Sequence, residues 1–212
     1  MYLDASGNVV AGLSTQTHLA AGVPGSVAGL LDVLEKYGTL PRKTVMAPAI
    51  RLASDGFVLN DDLAQQFSEA AAEFAKHPGS ARVFLKKDGT PYKQGDRFRQ
   101  PELAKTLELI SAKGKDGFYT GKTAELIVAE MQRGKGLITA KDLTDYRSVW
   151  REPVKGTYRG YQIYSMAPPS SGGVLLVQML NMLEPFDIKA SGYGSAATIH
   201  LMVEAERRAY AD

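Results

Sequence analysis

The chain has 212 residues, with 25 Lys and Arg against 23 Asp and Glu and a formal net charge of +2. Hydrophobic residues make up 44% and charged residues 23%, an ordinary balance for a globular protein of one domain or two small ones. Near charge parity gives no footing for nucleic-acid binding, and the lack of cysteine excludes disulfides, thiolate catalysis and cysteine metal sites.

Residues 2–10 carry an Asp4-Ala5-Ser6-Gly7-Asn8 turn and predict a short hairpin or loop. The block Gly22-Val23-Pro24-Gly25-Ser26-Val27-Ala28-Gly29 makes a tight turn and a helix start. Ser26 is expected to cap a helix with Val27, Leu30, Leu31 and Leu34 on one face, and Gly38 to end it. A second helix is expected over 43–54, with Pro48 near enough to its start to be tolerated or to bend it slightly and Gly56 as its stop. Asn60 or Asp61 should cap a third helix bearing Leu63, Phe67, Ala70, Ala71 and Phe74, broken by His77-Pro78-Gly79. Residues 83–92, turning at Asp88-Gly89, read as a small hairpin. Pro101 opens a helix through Leu107 and Ile110, another runs from Thr123 through Met131, and Thr139 with Asp142 marks a short helix with a capping box.

From Val149 the pattern changes. Val154, Thr157, Tyr158, Tyr161, Ile163 and Tyr164 predict two strands joined at Arg159-Gly160. A strand ending at Pro168, the turn Pro168-Pro169-Ser170-Ser171-Gly172-Gly173 and an apolar helix follow. That helix is apolar nearly all round, so it is expected to lie buried between layers. Ile199, Met202, Val203, Ala205, Ala209 and Tyr210 have helical spacing and reach Asp212 without a glycine or proline stop, which reads as a helix cut short. No stretch approaches the ~18 consecutive apolar residues of a membrane helix, and no export signal follows Met1.

The order and spacing of several stretches resemble the large subunit of γ-glutamyltransferases, also called γ-glutamyltranspeptidases or glutathione hydrolases. They are Leu19-Ala20-Ala21-Gly22-Val23-Pro24-Gly25, Lys36-Tyr37-Gly38, Ala53-Ser54-Asp55-Gly56-Phe57, Phe118-Tyr119-Thr120-Gly121, Gly136-Leu137-Ile138-Thr139, Tyr158-Arg159-Gly160-Tyr161, the Pro-Pro-Ser-Ser-Gly-Gly block, and Glu204-Ala205 with Tyr210-Ala211-Asp212. The resemblance implies a helix-rich α+β piece of an N-terminal nucleophile hydrolase, whose whole fold is a four-layer αββα sandwich. This piece would supply an outer helical layer and a few strands. Residues 1–212 are then a single incomplete domain, with a mainly helical part over 1–148 and a strand pair, buried helix and terminal helix over 149–212.

Members of that family are made as one precursor that cuts itself before a threonine, whose freed amino group and hydroxyl act as base and nucleophile. By resemblance, that threonine lies beyond Asp212, and the arginine that holds the glutamyl α-carboxylate lies upstream of Met1. The implied partners are glutathione or another γ-glutamyl compound and the remainder of the precursor, including its small subunit. The resemblance implies no cofactor and no metal, and a periplasmic or extracellular parent protein. A related acylase, a poly-γ-glutamate processing enzyme and a non-catalytic binding module share the scaffold as alternatives.

Within the chain, Ser170, Ser171, Gly172 and Gly173 at a helix start can offer hydroxyls and backbone N–H groups to a substrate carboxylate. N-capping and close packing account for the same residues. The block is not a Gly-x-Ser-x-Gly nucleophile elbow. Residues 22–29 lack the lysine of a phosphate loop and the spacing of a dinucleotide fingerprint. His18, His77 and His200 stand alone in the sequence, and His200 with Glu204, one turn apart, suggests a structural pair. Glu204, Glu206, Arg207 and Arg208 are expected on a solvated or subunit-facing side, and Trp150 in core or interface. Lys86, Lys87, Arg97 and Arg99 are either a solvated rim or an attraction for an acidic substrate.

Overall fold

In the computed structural model, which describes residues 1–211, contacts divide the chain into two units: Met1–Ser148 and a second that begins at Val149. In the first unit, residues 1–25 form a bridge between Leu3 and Val9 and a 3-10 turn at His18–Ala20. They lead into α1 (Ser26–Tyr37) and α2 (Arg42–Asp55). The cap of α1 differs from the expected Ser26. Gly25 occupies the cap position and no side chain bonds there. The Tyr119 hydroxyl replaces it, accepting from Ala28 N at 3.1 Å and donating to Pro24 O at 2.6 Å. Gly25 is required because a Cβ would lie 2.1 Å from the Tyr146 hydroxyl.

Gly56, at φ +75°, ends α2 and turns the chain into β1 (Phe57–Val58), which pairs antiparallel with β2 (Arg97–Phe98). Between these strands stand α3 (Asp61–Lys76) and α4 (Pro78–Phe84). The Asn60 side chain caps α3 by accepting from Leu63 N, and Asp61 and Asp62 favour the positive end of its dipole. The expected strand at Val83 is instead the end of α4. Pro78 presets its first turn, and Phe84 is drawn into a ring cluster with Phe67, Phe74 and Phe98. The hairpin that remains is a single bridge, Leu85 to Pro91, around Asp88-Gly89.

The rest of the first unit is α5 (Pro101–Lys113), α6 (Asp116–Tyr119), α7 (Gly121–Arg133) and α8 (Ala140–Asp145). Helix α5 packs along α2. Thr139 and Asp142 form the expected capping box on α8. A small core joins Ala28, Tyr119, Ala124, Ile138 and Leu143, with Val27, Ile127 and Met131 against it.

In the second unit, β3 (Val154–Tyr158) and β4 (Tyr161–Ser165) form an antiparallel pair with Gly156 opposite Ile163. Arg159 and Gly160 both have positive φ, 49° and 82°, as a two-residue turn matched to strand twist requires. Helix α9 (Gly172–Leu183) packs on the hairpin, where a Cβ at Gly156 would meet Val177 at 2.7 Å. After α10 (Ile188–Ser191), the Ser195 side chain caps α11 (Ala196–Ala209).

Three expectations change here. The strand before the proline turn ends at Ser165 rather than Pro168, because pairing with β3 runs out at Val154. Helix α9 is not enclosed: Gly173 is its buried residue, while Val174 and Leu176 are exposed, because the hairpin and α11 pack on only part of its surface. Helix α11 does not run on to the end of the described chain. It closes at Ala209, with Tyr210 N donating back to Glu206 O, and Asp212 lies outside the described residues.

Candidate functional site

The Ser170–Gly173 turn is built by strand β4, two prolines and the start of α9. Ser170 N donates to Ala167 O at 3.3 Å, and the Ser170 hydroxyl accepts from Gly172 N at 3.3 Å. That serine therefore satisfies one of the helix's free N–H groups. Ser171 is exposed and makes no side-chain cap bond, so its hydroxyl and the α9 dipole face solvent together. Gly173 is closed tightly on the chain before it, where a Cβ would lie 2.0 Å from Met166 O. At Gly172 a Cβ would meet only the Ser170 hydroxyl, at 3.5 Å. Among the described residues, neither serine bonds a histidine or a carboxylate, so no serine nucleophile is assembled here.

The other glycine-rich block, residues 22–29, serves packing. Its backbone bonds Tyr119, whose ring stacks on Tyr146 at 5.6 Å, and burial holds the Tyr119 phenol above its ordinary pKa. On α1, Asp32 pairs with Lys115 and accepts from the Ser148 hydroxyl, contacts that hold its carboxyl below the usual range.

Two histidines that stand alone in the sequence have partners in space. His18 Nε2 lies 2.8 Å from Glu130 Oε1, and His77 Nε2 lies 3.4 Å from Glu73. The first pairing spans 112 positions and carries no periodic signal; the clue was the pair of glycines at 134 and 136. A Cβ at Gly134 would lie 2.2 Å from the His18 ring, and one at Gly136 would reach its Cβ at 3.0 Å. Arg133 and then His18 pull the Glu130 pKa down to about 2.

The expected His200 and Glu204 pair does not form. Glu204 turns to Arg207 and Arg208, one turn ahead in the sense that opposes the helix dipole's negative end, and its pKa falls to about 2. Trp150 is exposed rather than in a core. Arg97 and Arg99 donate to carbonyl oxygens of Asp55 and Gly56, and Lys86 pairs with Asp96, so these cations close the β1–β2 region. Among the described residues no group of three or more His, Asp and Glu could hold a metal, and no helix is long and apolar enough to cross a membrane.

The geometry defines a class: a helix-rich α+β scaffold whose glycine turns and buried tyrosine set backbone against backbone. A family model described as gamma-glutamyltranspeptidase matches residues 1–212, and the chain belongs to that family. It is 49% identical over 212 residues to a glutathione hydrolase proenzyme of Escherichia coli, covering all of this chain and 37% of that protein. An acylase ACY 1 proenzyme of a Pseudomonas species is 43% identical over 193 residues, or 91% of this chain and 34% of its own length. The solved γ-glutamyltranspeptidase of Helicobacter pylori superposes with a TM-score of 0.95 at 48% identity, over all of this chain and 60% of that one. The chain thus spans little more than a third of the curated relatives it matches.

Proposed function

We propose that the protein to which this chain belongs cleaves the γ-glutamyl amide bond of glutathione and passes the γ-glutamyl group to water, an amino acid or a peptide. The observation that carries this reading is the family match over the full 212 residues. By resemblance, the hydroxyl oxygen of an N-terminal threonine outside this chain attacks the γ-carbonyl carbon while the threonine's own amino group takes the proton. The C–N bond breaks, the amine leaves with that proton, and a γ-glutamyl ester remains. Water or an acceptor amine then attacks the ester carbonyl carbon and gives up a proton to the threonine amino group; the C–O bond to threonine breaks and the departing threonine oxygen takes that proton.

The present residues serve as scaffold. The turn Ser170, Ser171, Gly172 and Gly173 is proposed as their contribution nearest to ligand chemistry, supported by the solvent-facing Ser171 hydroxyl beside the α9 N-terminus. The partner is the remainder of the same precursor, including its small subunit, and the whole protein is periplasmic or extracellular. This chain by itself has no activity in this reading, because nucleophile, base and oxyanion donors must be positioned together.

A second reading, an acylase, is favoured by the 43% identity to the acylase proenzyme. A donor panel separates the two. The whole protein is expected to turn over γ-glutamyl anilide well above glutaryl anilide, which lacks the α-amino group. The opposite preference establishes the acylase.

A further inference from the structure

Strands β3 and β4 stop pairing at Val154 and Ser165. Pro153 has no N–H to carry the ladder further, and Pro168 and Pro169 lack one on the opposite arm. Where the ladder ends, the two arms border a cavity of about 730 Å³. Val149, Pro153, Met166 and Pro169 give it apolar walls. One wall is anchored, because the Met166 carbonyl lies so close to Gly173 that a Cβ there would stand 2.0 Å from its oxygen.

The polar groups of this cavity are few and of one sign. Arg151 lines it, and among the described residues no carboxylate or carbonyl oxygen accepts from its guanidinium. The Ser165 hydroxyl is the second donor, whereas the Tyr164 hydroxyl already donates to Gln162 Oε1 at 2.7 Å. No acidic side chain lines the cavity, and Glu152, the neighbour of Arg151, pairs with Lys155 at 3.6 Å. An apolar hollow with one uncommitted guanidinium is complementary to a carboxylate on an apolar body. An ammonium beside that carboxylate would find no counter-charge, so a free amino acid fits less well than an acid whose nitrogen is acylated or absent. We propose that the cavity at the open end of the β3–β4 hairpin binds an apolar carboxylate that carries no ammonium, with Arg151 as its anion anchor. A peptide C-terminus and a simple apolar acid share that chemistry. The inference concerns binding alone and does not rest on the γ-glutamyl reaction.

The test uses the whole protein and two probes, N-acetylleucine and 4-methylpentanoate, with N-acetylleucine amide as the uncharged control. In calorimetry at least one of the acids is expected to bind about tenfold or more tighter than the amide, and Arg151→Gln to weaken it by a similar factor. Arg82→Gln, which removes an arginine outside the cavity, is expected to leave the affinity unchanged. Tighter binding of N-acetylleucine identifies a peptide C-terminus as the ligand, and tighter binding of 4-methylpentanoate a simple acid; equal affinities mean that the site reads only the carboxylate and the apolar body. Absence of binding, equal binding of acid and amide, or unchanged affinity in Arg151→Gln overturns the proposal. Should that variant not fold, phenylglyoxal modification of the unaltered protein, followed by peptide mapping, reads the same contact. N-acetylleucine or 4-methylpentanoate is expected to slow modification of Arg151 but not of Arg82, and an Arg151 rate indifferent to both acids overturns the site. γ-Glutamyl anilide turnover is measured on the same preparations. Acid binding without turnover sinks the functional reading alone, whereas turnover without acid binding sinks the site alone.

Discussion

Adjacent glycines have opposite constraints in the 170–173 turn. Gly173→Ala forces a Cβ into the Met166 carbonyl, a backbone atom that cannot move aside cheaply, and is expected to cost about 1–3 kcal/mol. Gly172→Ala meets only a hydroxyl at contact distance and is expected to be neutral or slightly stabilising. Urea unfolding of the two variants checks this; equal costs would mean that the turn is not packed as described. Ser171→Ala addresses ligand contact instead, with an expected rise of threefold or more in KM for the γ-glutamyl donor and unchanged stability. An unchanged KM leaves the turn a packing element. Glu130 supplies a pH signature. Its folded pKa, about 2, lies below the ordinary carboxylate value, so its stabilising contribution is present above about pH 4.5 and is lost as pH falls toward 2. Glu130→Gln is expected to flatten the acid limb of a Tm-against-pH curve between those values. An acid limb as steep as in the parent would contradict the His18–Glu130–Arg133 arrangement.

Elements differ in what holds them. Helix α3 depends on an Asn60 cap, so Asn60→Ala is expected to lower stability by about 1 kcal/mol. The ring cluster that joins α3, α4 and β2 depends more on Phe98, which is 3% exposed and lies 5.1 Å from Phe67 and 5.2 Å from Tyr92. Phe98→Ala is expected to cost about 3–5 kcal/mol in the same unfolding assay, and a loss below 1 kcal/mol would mean the cluster is loose. Helices and strand pairs with local signals were legible in advance: Gly56 as a stop, a cap at Asn60 or Asp61 that Asn60 supplies, the Thr139 and Asp142 box, and the turn at Arg159-Gly160. Elements decided by distant partners were not. Val83 and Phe84 have strand-forming side chains, yet Pro78 and the aromatic cluster make them helical. Ser26 suits a cap, but Tyr119, 91 positions from Ala28, already supplies the bonds at that helix start. His18 with Glu130 escaped for the same reason, since no local period links residues 112 apart.

For the whole molecule, the family was legible because its stretches keep their order along the chain, and the match extends over all 212 residues. Chemistry was legible only through that kinship, since no nucleophile is assembled among the described residues. Apolar side chains are exposed on both α1 and α9, among them Leu30 and Tyr37 on the first and Val174 and Leu176 on the second. The most direct test is to express the natural reading frame extended on both sides and to follow, in one sample, the N-terminal residue of any cleavage product and the hydrolysis of γ-glutamyl anilide. Self-cleavage that exposes a threonine, accompanied by turnover, is the result expected of a γ-glutamyl-transferring enzyme built on this scaffold; an intact product without turnover would contradict it.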